Sequence, residues 1–219
     1  MKYLLNIRAW KVFLVLSVLY ILFAYADESI FVNDDLYYNS LGEELTIDRI
    51  QELIENSYKW EWIAYGFVPL VVLLRASYTT LFLFIGVFFT EMKVNIASIF
   101  KVSLLADFIY IIAAVLRLLI LILFKEVSTF GDLSFQPLSL INLFDVERLE
   151  LFVVYPLSLL NIFELIYFLL LAFFLRSILA DYNVKTIGYG KSLAMVTLSY
   201  GGGLLLWVAF IMFLTINLM

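Results

Sequence analysis

Residues 102–124, VSLLADFIYIIAAVLRLLILILF, decide how this chain folds. The stretch is apolar over the roughly 20 residues a helix needs to cross a hydrocarbon core, yet it holds one aspartate and one arginine. Four other stretches have comparable length and hydropathy, at about 10–26, 62–90, 151–180 and 192–218. The chain as a whole is 64% hydrophobic and 15% charged. Water-soluble domains are about half apolar and a quarter charged, so the surplus apolar surface here needs a bilayer to face. The expected fold is all-α: an integral membrane helical bundle of about five transmembrane helices in one membrane domain, 1–219.

Loop charges orient the bundle. With the N-terminus in the cytoplasm, the inner stretches carry Lys2, Arg8, Lys11, Lys93, Lys101, Arg176, Lys185 and Lys191 against Glu91 and Asp181. The outer stretches carry Arg49, Lys59, Lys125 and Arg148 against Asp27, Glu28, Asp34, Asp35, Glu43, Glu44, Asp48, Glu52, Glu55, Glu61, Glu126, Asp132, Asp145, Glu147 and Glu150. The lysine and arginine bias points the same way at every loop, which predicts N-in, C-out. The first segment has a second reading as a signal peptide. Its basic start, apolar residues 12–23 and Ala24-Tyr25-Ala26 have that layout, and at about 17 residues it is short for a span.

The outer loop 27–61 is expected to hold a short interfacial helix at 46–58. Thr46 is a fair N-cap, and Ile47, Ile50 and Ile54 recur at helical spacing. That apolar stripe would lie on the membrane surface or on the loops above the bundle, as a structural lid or as a docking surface. Trp60 and Trp62 are interfacial anchors where the second span begins. The loop 125–150, with Gly131 and Pro137, reads as irregular with one interfacial turn near Leu138–Phe144, and Pro69 as a kink or first-turn residue.

Four ionisable residues fall inside the spans: Arg75, Asp107, Arg117 and Glu164. Each costs roughly 2.5–3.5 kcal/mol at the membrane centre, so each should face the bundle interior or water. Arg75 and Glu164 both lie about 20 Å from the outer ends of their helices, at about 1.5 Å per residue, so the two are expected to pair. Asp107 and Arg117 face different sides of one helix and should have different partners. Arg117 would snorkel outward or join Glu164. Together the four form either a network that fixes helix register or the lining of a transport pathway. Gly201, Gly202 and Gly203 predict close helix packing, or a broken helix at a binding site. Ser158, Asn161 and Thr197 could hydrogen-bond across helices.

Composition removes other chemistry. The chain has no cysteine and no histidine. Disulfides, iron–sulfur clusters, thiolate zinc, histidine-ligated haem and Ser–His catalysis are thereby excluded. No catalytic, cofactor-binding or metal-binding residues are expected, and no basic patch suggests nucleic acid. Gly188-Tyr189-Gly190-Lys191-Ser192 looks like the tail of a phosphate-binding loop, but Lys185 stands where that motif needs its first glycine. The paired catalytic groups that intramembrane proteases use are also missing, since Asp107 is the one aspartate within the spans.

The stretch SLLNIFELIYFLLLAFFLRSILADYNVKTIGYGKSLAMVTLSYGGGLLLWV, from Ser158, resembles the last two helices of bacterial Yip1-domain proteins. The features that carry the resemblance are the Asn161-containing start of the penultimate helix, the short polar loop, and the Lys191-Ser192-Leu193-Ala194 opening of the last helix. Five helices, N-in and C-out, match that layout. The long N-terminal region and the Asp-Leu-Tyr-Gly-Pro element of eukaryotic members are missing, so Rab binding does not carry over. The resemblance implies a non-enzymatic inner-membrane protein working through membrane-protein partners. It would be an accessory or scaffold subunit of an assembly such as one for secretion or membrane-protein biogenesis. The rival expectation is a small transporter or channel subunit using the intramembrane charges.

Overall fold

The apolar stretches become helices because a chain without water has no other way to satisfy its backbone N–H and C=O groups. In a computed structural model, which describes residues 7–90, 94–181 and 187–218, the elements are helices joined by turns and one isolated β-bridge. In chain order they are α1 (Ala9–Phe31), α2 (Asp34–Leu41), α3 (Ile47–Phe88), α4 (Ile96–Ala106), α5 (Phe108–Phe124), α6 (Phe130–Leu133), α7 (Leu151–Leu159), α8 (Ile162–Asp181) and α9 (Tyr189–Asn217). Two 3-10 turns, Leu140–Leu143 and Val146–Arg148, lie between α6 and α7. Five helical units are long and apolar enough to cross a membrane: Ala9–Phe31, Ile47–Phe88, Ile96–Phe124, Ile162–Ala180 and Tyr189–Asn217.

Several boundaries differ from the sequence reading, each for a local reason. The first span continues past residue 26 to Phe31, because Asp27 and Glu28 find partners on other helices. Ala24-Tyr25-Ala26 therefore sits inside α1, which also contributes Val12 and Leu16 to the core. The expected interfacial helix 46–58 and the second span 62–90 are one helix of 42 residues, α3, with Pro69 inside it. At about 1.5 Å per residue it is roughly 63 Å long, about twice a hydrocarbon core, so its charged first third must project beyond the apolar length. Ile50 and Ile54 are buried where α2 packs on α3, near the equally buried Leu36, whereas Ile47 is exposed. The stripe thus covers α2, a helix the sequence reading did not foresee, started by the Asn33 side chain accepting from the Leu36 N–H. Trp60 and Trp62 are exposed.

The third span begins at Ile96, capped by Asn95, and has an irregular turn at Asp107 between α4 and α5. The segment 151–180 is two helices, not one: α7 ends at Leu159 and α8 starts at Ile162. Pro156 cannot donate into α7, and Asn161 caps α8 by accepting from the Glu164 N–H at 2.8 Å. The gap is pinned by the loop before α7. Leu140 N–H donates to the Leu160 carbonyl (2.9 Å), and Ile162 N–H donates to the Leu138 carbonyl (3.2 Å). The expected turn near Leu138–Phe144 is the first 3-10 turn. The last span is Tyr189–Asn217. The short basic-side loops fall partly on residues 91–93 and 182–186, and Lys2 on 1–6, which lie outside the described residues.

The helices run antiparallel in a bundle whose core joins α1, α3, α4, α5, α8 and α9. One end, here called the acidic end, gathers the end of α1, α2, the start of α3, α6, α7 and the end of α9. Tyr65 bridges Glu28 and Glu61 there (2.6 and 2.7 Å), and Phe130 N–H donates to Ser40 Oγ at 2.8 Å.

Two features of this end lead to measurable expectations. Leu138 has φ 55°, the left-handed region, which costs a non-glycine residue about 1 kcal/mol, and its side chain is exposed. Leu138→Asn should raise the thermal midpoint in detergent; an unchanged or lower midpoint would show that the leucine side chain contributes more than the backbone strain costs. Asp132 and Thr129 form a reciprocal capping box at α6. Burial pushes the Asp132 carboxyl up, but hydrogen bonds from Thr129 and Ser128 outweigh it and hold it below the usual carboxylate range. A depressed folded value means that the contribution is present above the unfolded carboxylate pKa and is lost as pH falls through the folded one. Amide exchange across 128–134 should accelerate at pH 3 relative to pH 7, beyond the intrinsic pH dependence, and Asp132→Asn should remove that difference.

Candidate functional site

Three of the four charges within the spans, Arg75, Asp107 and Glu164, come together inside the bundle, in a different pairing from the depth-matched one. Asp107 lies fully buried at the α4–α5 turn, where it accepts from Arg75 Nη2 at 3.0 Å and Nε at 3.3 Å. Arg75 Nη2 also donates to the Tyr20 hydroxyl at 2.6 Å. The guanidinium lies 5.1 Å from the Tyr20 ring centre and 4.7 Å from that of Tyr110. The partner of Arg75 is therefore Asp107, not Glu164. Counting residues matched depth along the helices, but the turn at Asp107 aims its carboxylate at α3, and depth alone carries no azimuth.

Glu164, in the first turn of α8, is buried and accepts from two tyrosines: Tyr110 Oη at 2.6 Å and Tyr200 Oη at 2.9 Å. It has no cationic partner at ion-pair distance among the described residues. Arg117 reaches the acidic end and does not join Glu164. It pairs with Asp27 at 2.5 Å and donates to the Phe135 carbonyl (3.2 Å) and to the Leu133 carbonyl. One Asp107 oxygen, Oδ1, and Ser17 Oγ are buried without a hydrogen bond among the described residues.

The tyrosines were missed by the sequence reading. Their signal was present: Tyr110 follows Asp107 by three residues and Tyr167 follows Glu164 by three, which puts each on its acid's helix face. Tyr167 is buried and donates to Thr79 Oγ1 at 3.1 Å, and its ring packs between those of Tyr110 and Tyr200. The start of α8 was legible too, since Asn161 with glutamate three residues on is the usual opening of a helix.

Above this polar layer a cavity of about 740 Å³ opens between α3, α5, α7, α8 and α9. Arg75, Tyr110, Glu164 and Tyr200 line its deeper part; Arg117, Gln136 and Asn161 line the part toward the acidic end. Tyr78, Tyr155 and Trp207 form an aromatic wall. It is held by Trp207 Nε1 donating to Tyr155 Oη (2.8 Å), Tyr78 Oη donating to the Gly203 carbonyl (2.6 Å), and Tyr78 and Trp207 rings 5.8 Å apart.

The three glycines of α9 do different things. A side chain on Gly203 would strike the Phe82 ring of α3 at 2.5 Å, and one on Gly201 would press on Phe168 at 3.3 Å, while Gly202 faces open space. Gly86 of α3, unremarked in the sequence reading, packs as closely against Ser199 (2.7 Å). Ser158 bonds within α7, to the Tyr155 carbonyl. Gly188, in the phosphate-loop look-alike, is the N-cap of α9, and Ser192 Oγ donates to the Ala172 carbonyl. No cluster of three acids able to hold a metal occurs among the described residues. No family model, no curated protein and no solved structure matches the chain.

Proposed function

We propose that this chain is a Yip1-like bacterial inner-membrane protein, N-terminus in the cytoplasm, that holds a small amphiphilic ligand inside its bundle as a non-enzymatic transporter or channel subunit. The observation that carries this reading is Glu164. It is a buried carboxylate without a cationic partner among the described residues, and it lines a cavity of drug-like size at the broken start of a helix. An intramembrane acid is costly, and broken helices lining a cavity are how small transporters expose backbone groups to a substrate.

A second reading, the accessory or scaffold subunit of a secretion or membrane-protein biogenesis assembly, is favoured by a different observation. Arg75–Asp107 and Arg117–Asp27 close on themselves and tie α3 to α4–α5 and α1 to α5, as a register-fixing network would. Filling the cavity separates the two. Ala114 lines it, so Ala114→Phe should abolish binding of neutral 4-phenylbutanol, followed by native mass spectrometry, and any flux in reconstituted vesicles. If the filled variant binds the probe like wild type, the cavity reading falls. Stable co-purification with a defined complex, unaffected by the filling, would then support the scaffold.

A further inference from the structure

We propose that the cavity selects an organic cation, an ammonium group on an apolar body. The inference rests on the cavity-binding reading and deepens it by naming the ligand's charge.

Charge balance makes the first argument. Two arginines line the cavity, but each is already matched by an aspartate that does not line it: Arg75 by Asp107 and Arg117 by Asp27. Glu164 is matched by no cation among the described residues, and its two hydrogen-bond donors are neutral hydroxyls. An ionised carboxylate accepts about four hydrogen bonds, so each oxygen keeps capacity for a ligand N–H. The one charge on the cavity lining without an ion-pair partner among the described residues is therefore the Glu164 carboxylate; the Arg75 guanidinium stands near it, over the Tyr110 ring, but is committed to Asp107.

The walls make the second argument independently. Tyr78, Tyr155 and Trp207 line the cavity together on one side, and the Tyr110 and Tyr200 hydroxyls bond Glu164 on another. Aromatic rings around a carboxylate are the recognition chemistry of ammonium groups, because the ring faces carry negative potential and exclude water. The rim adds a third element. Arg117, held by Asp27, lines the part of the cavity nearest the end where the acidic loops gather, and such a field concentrates cations around it.

An ammonium can come from a lipid headgroup or from a free amine, and the same protein distinguishes them. The full chain, purified in neutral detergent, is titrated with 4-phenylbutylammonium, 4-phenylbutanol and 4-phenylbutyrate, which share one body and differ in charge. Wild type should bind the ammonium about tenfold tighter than the alcohol, and the carboxylate not at all. Glu164→Gln should lose that preference while still binding the alcohol. If Glu164→Gln does not fold, Trp207→Leu leaves the acid in place and should weaken the ammonium several-fold more than the alcohol. In native mass spectra, retention of phosphatidylethanolamine over phosphatidylglycerol assigns the ammonium to a lipid headgroup; binding of the free ammonium without that retention assigns it to a soluble amine. Equal binding of ammonium and alcohol, or preference for the carboxylate through the Arg75 guanidinium, overturns the cation proposal but leaves the cavity reading standing. Failure of all three probes and both lipids removes both.

Discussion

Asp107→Leu should destabilise the bundle by about 3–5 kcal/mol, measured as denaturant-induced unfolding in mixed micelles, and should reduce the amount of folded protein recovered from membranes. The size follows from what is left behind. Removing the carboxylate strands the Arg75 guanidinium, which among the described residues retains only the Tyr20 hydroxyl as a hydrogen-bond acceptor and the faces of Tyr20 and Tyr110. An uncompensated cation in that setting is far more expensive than the pair was stabilising. Arg75→Met together with Asp107→Leu should therefore recover at least half of the loss. Arg75→Met together with Glu164→Leu should not, because those two residues do not pair and the second change also frees the Tyr110 and Tyr200 hydroxyls. Recovery in the second double variant but not the first would reverse the assignment of partners.

The other large effect is steric. Gly203→Leu should cost about 1–3 kcal/mol by overpacking, with Gly202→Leu close to neutral, although the two are adjacent on α9. The difference comes from Phe82. A first side-chain carbon on Gly203 would sit 2.5 Å from its ring, inside any permitted contact, and the ring is itself packed at a tilt against that of Tyr78, centres 4.8 Å apart. Shifting Phe82 would disturb the aromatic wall of the cavity as well as the α3–α9 contact. Phe82→Ala should restore much of the stability of Gly203→Leu in a thermal melt, since it removes the atoms in the way. If Gly202→Leu proves equally harmful, the face that α9 turns to α3 is wrong.

The number of apolar helices and their alternation could be read from residues 10–26, 62–90, 102–124, 151–180 and 192–218, because length and hydropathy are local properties and the bilayer imposes one length on every span. The four intramembrane charges could also be found, because each is costly wherever its helix points. Where a helix breaks was half visible. Pro156 and the Asn161–Glu164 start lay in plain view, but the break needed the Leu138–Leu140 backbone to fill it, a contact between segments some twenty residues apart.

The partners were beyond reach of such counting. Arg75 meets Asp107 because of the rotation of α3 about its own axis and the turn between α4 and α5. Glu164 meets Tyr110 and Tyr200 because α5, α8 and α9 converge. Depth along a membrane helix is written in residue number, one step of about 1.5 Å at a time. The direction in which a side chain leaves the helix is also periodic, but which neighbour stands there depends on packing among helices far apart in the chain. Spans and buried charges were therefore settled by local composition, whereas the pairings, the cavity and the unequal roles of three consecutive glycines were settled by how the helices pack.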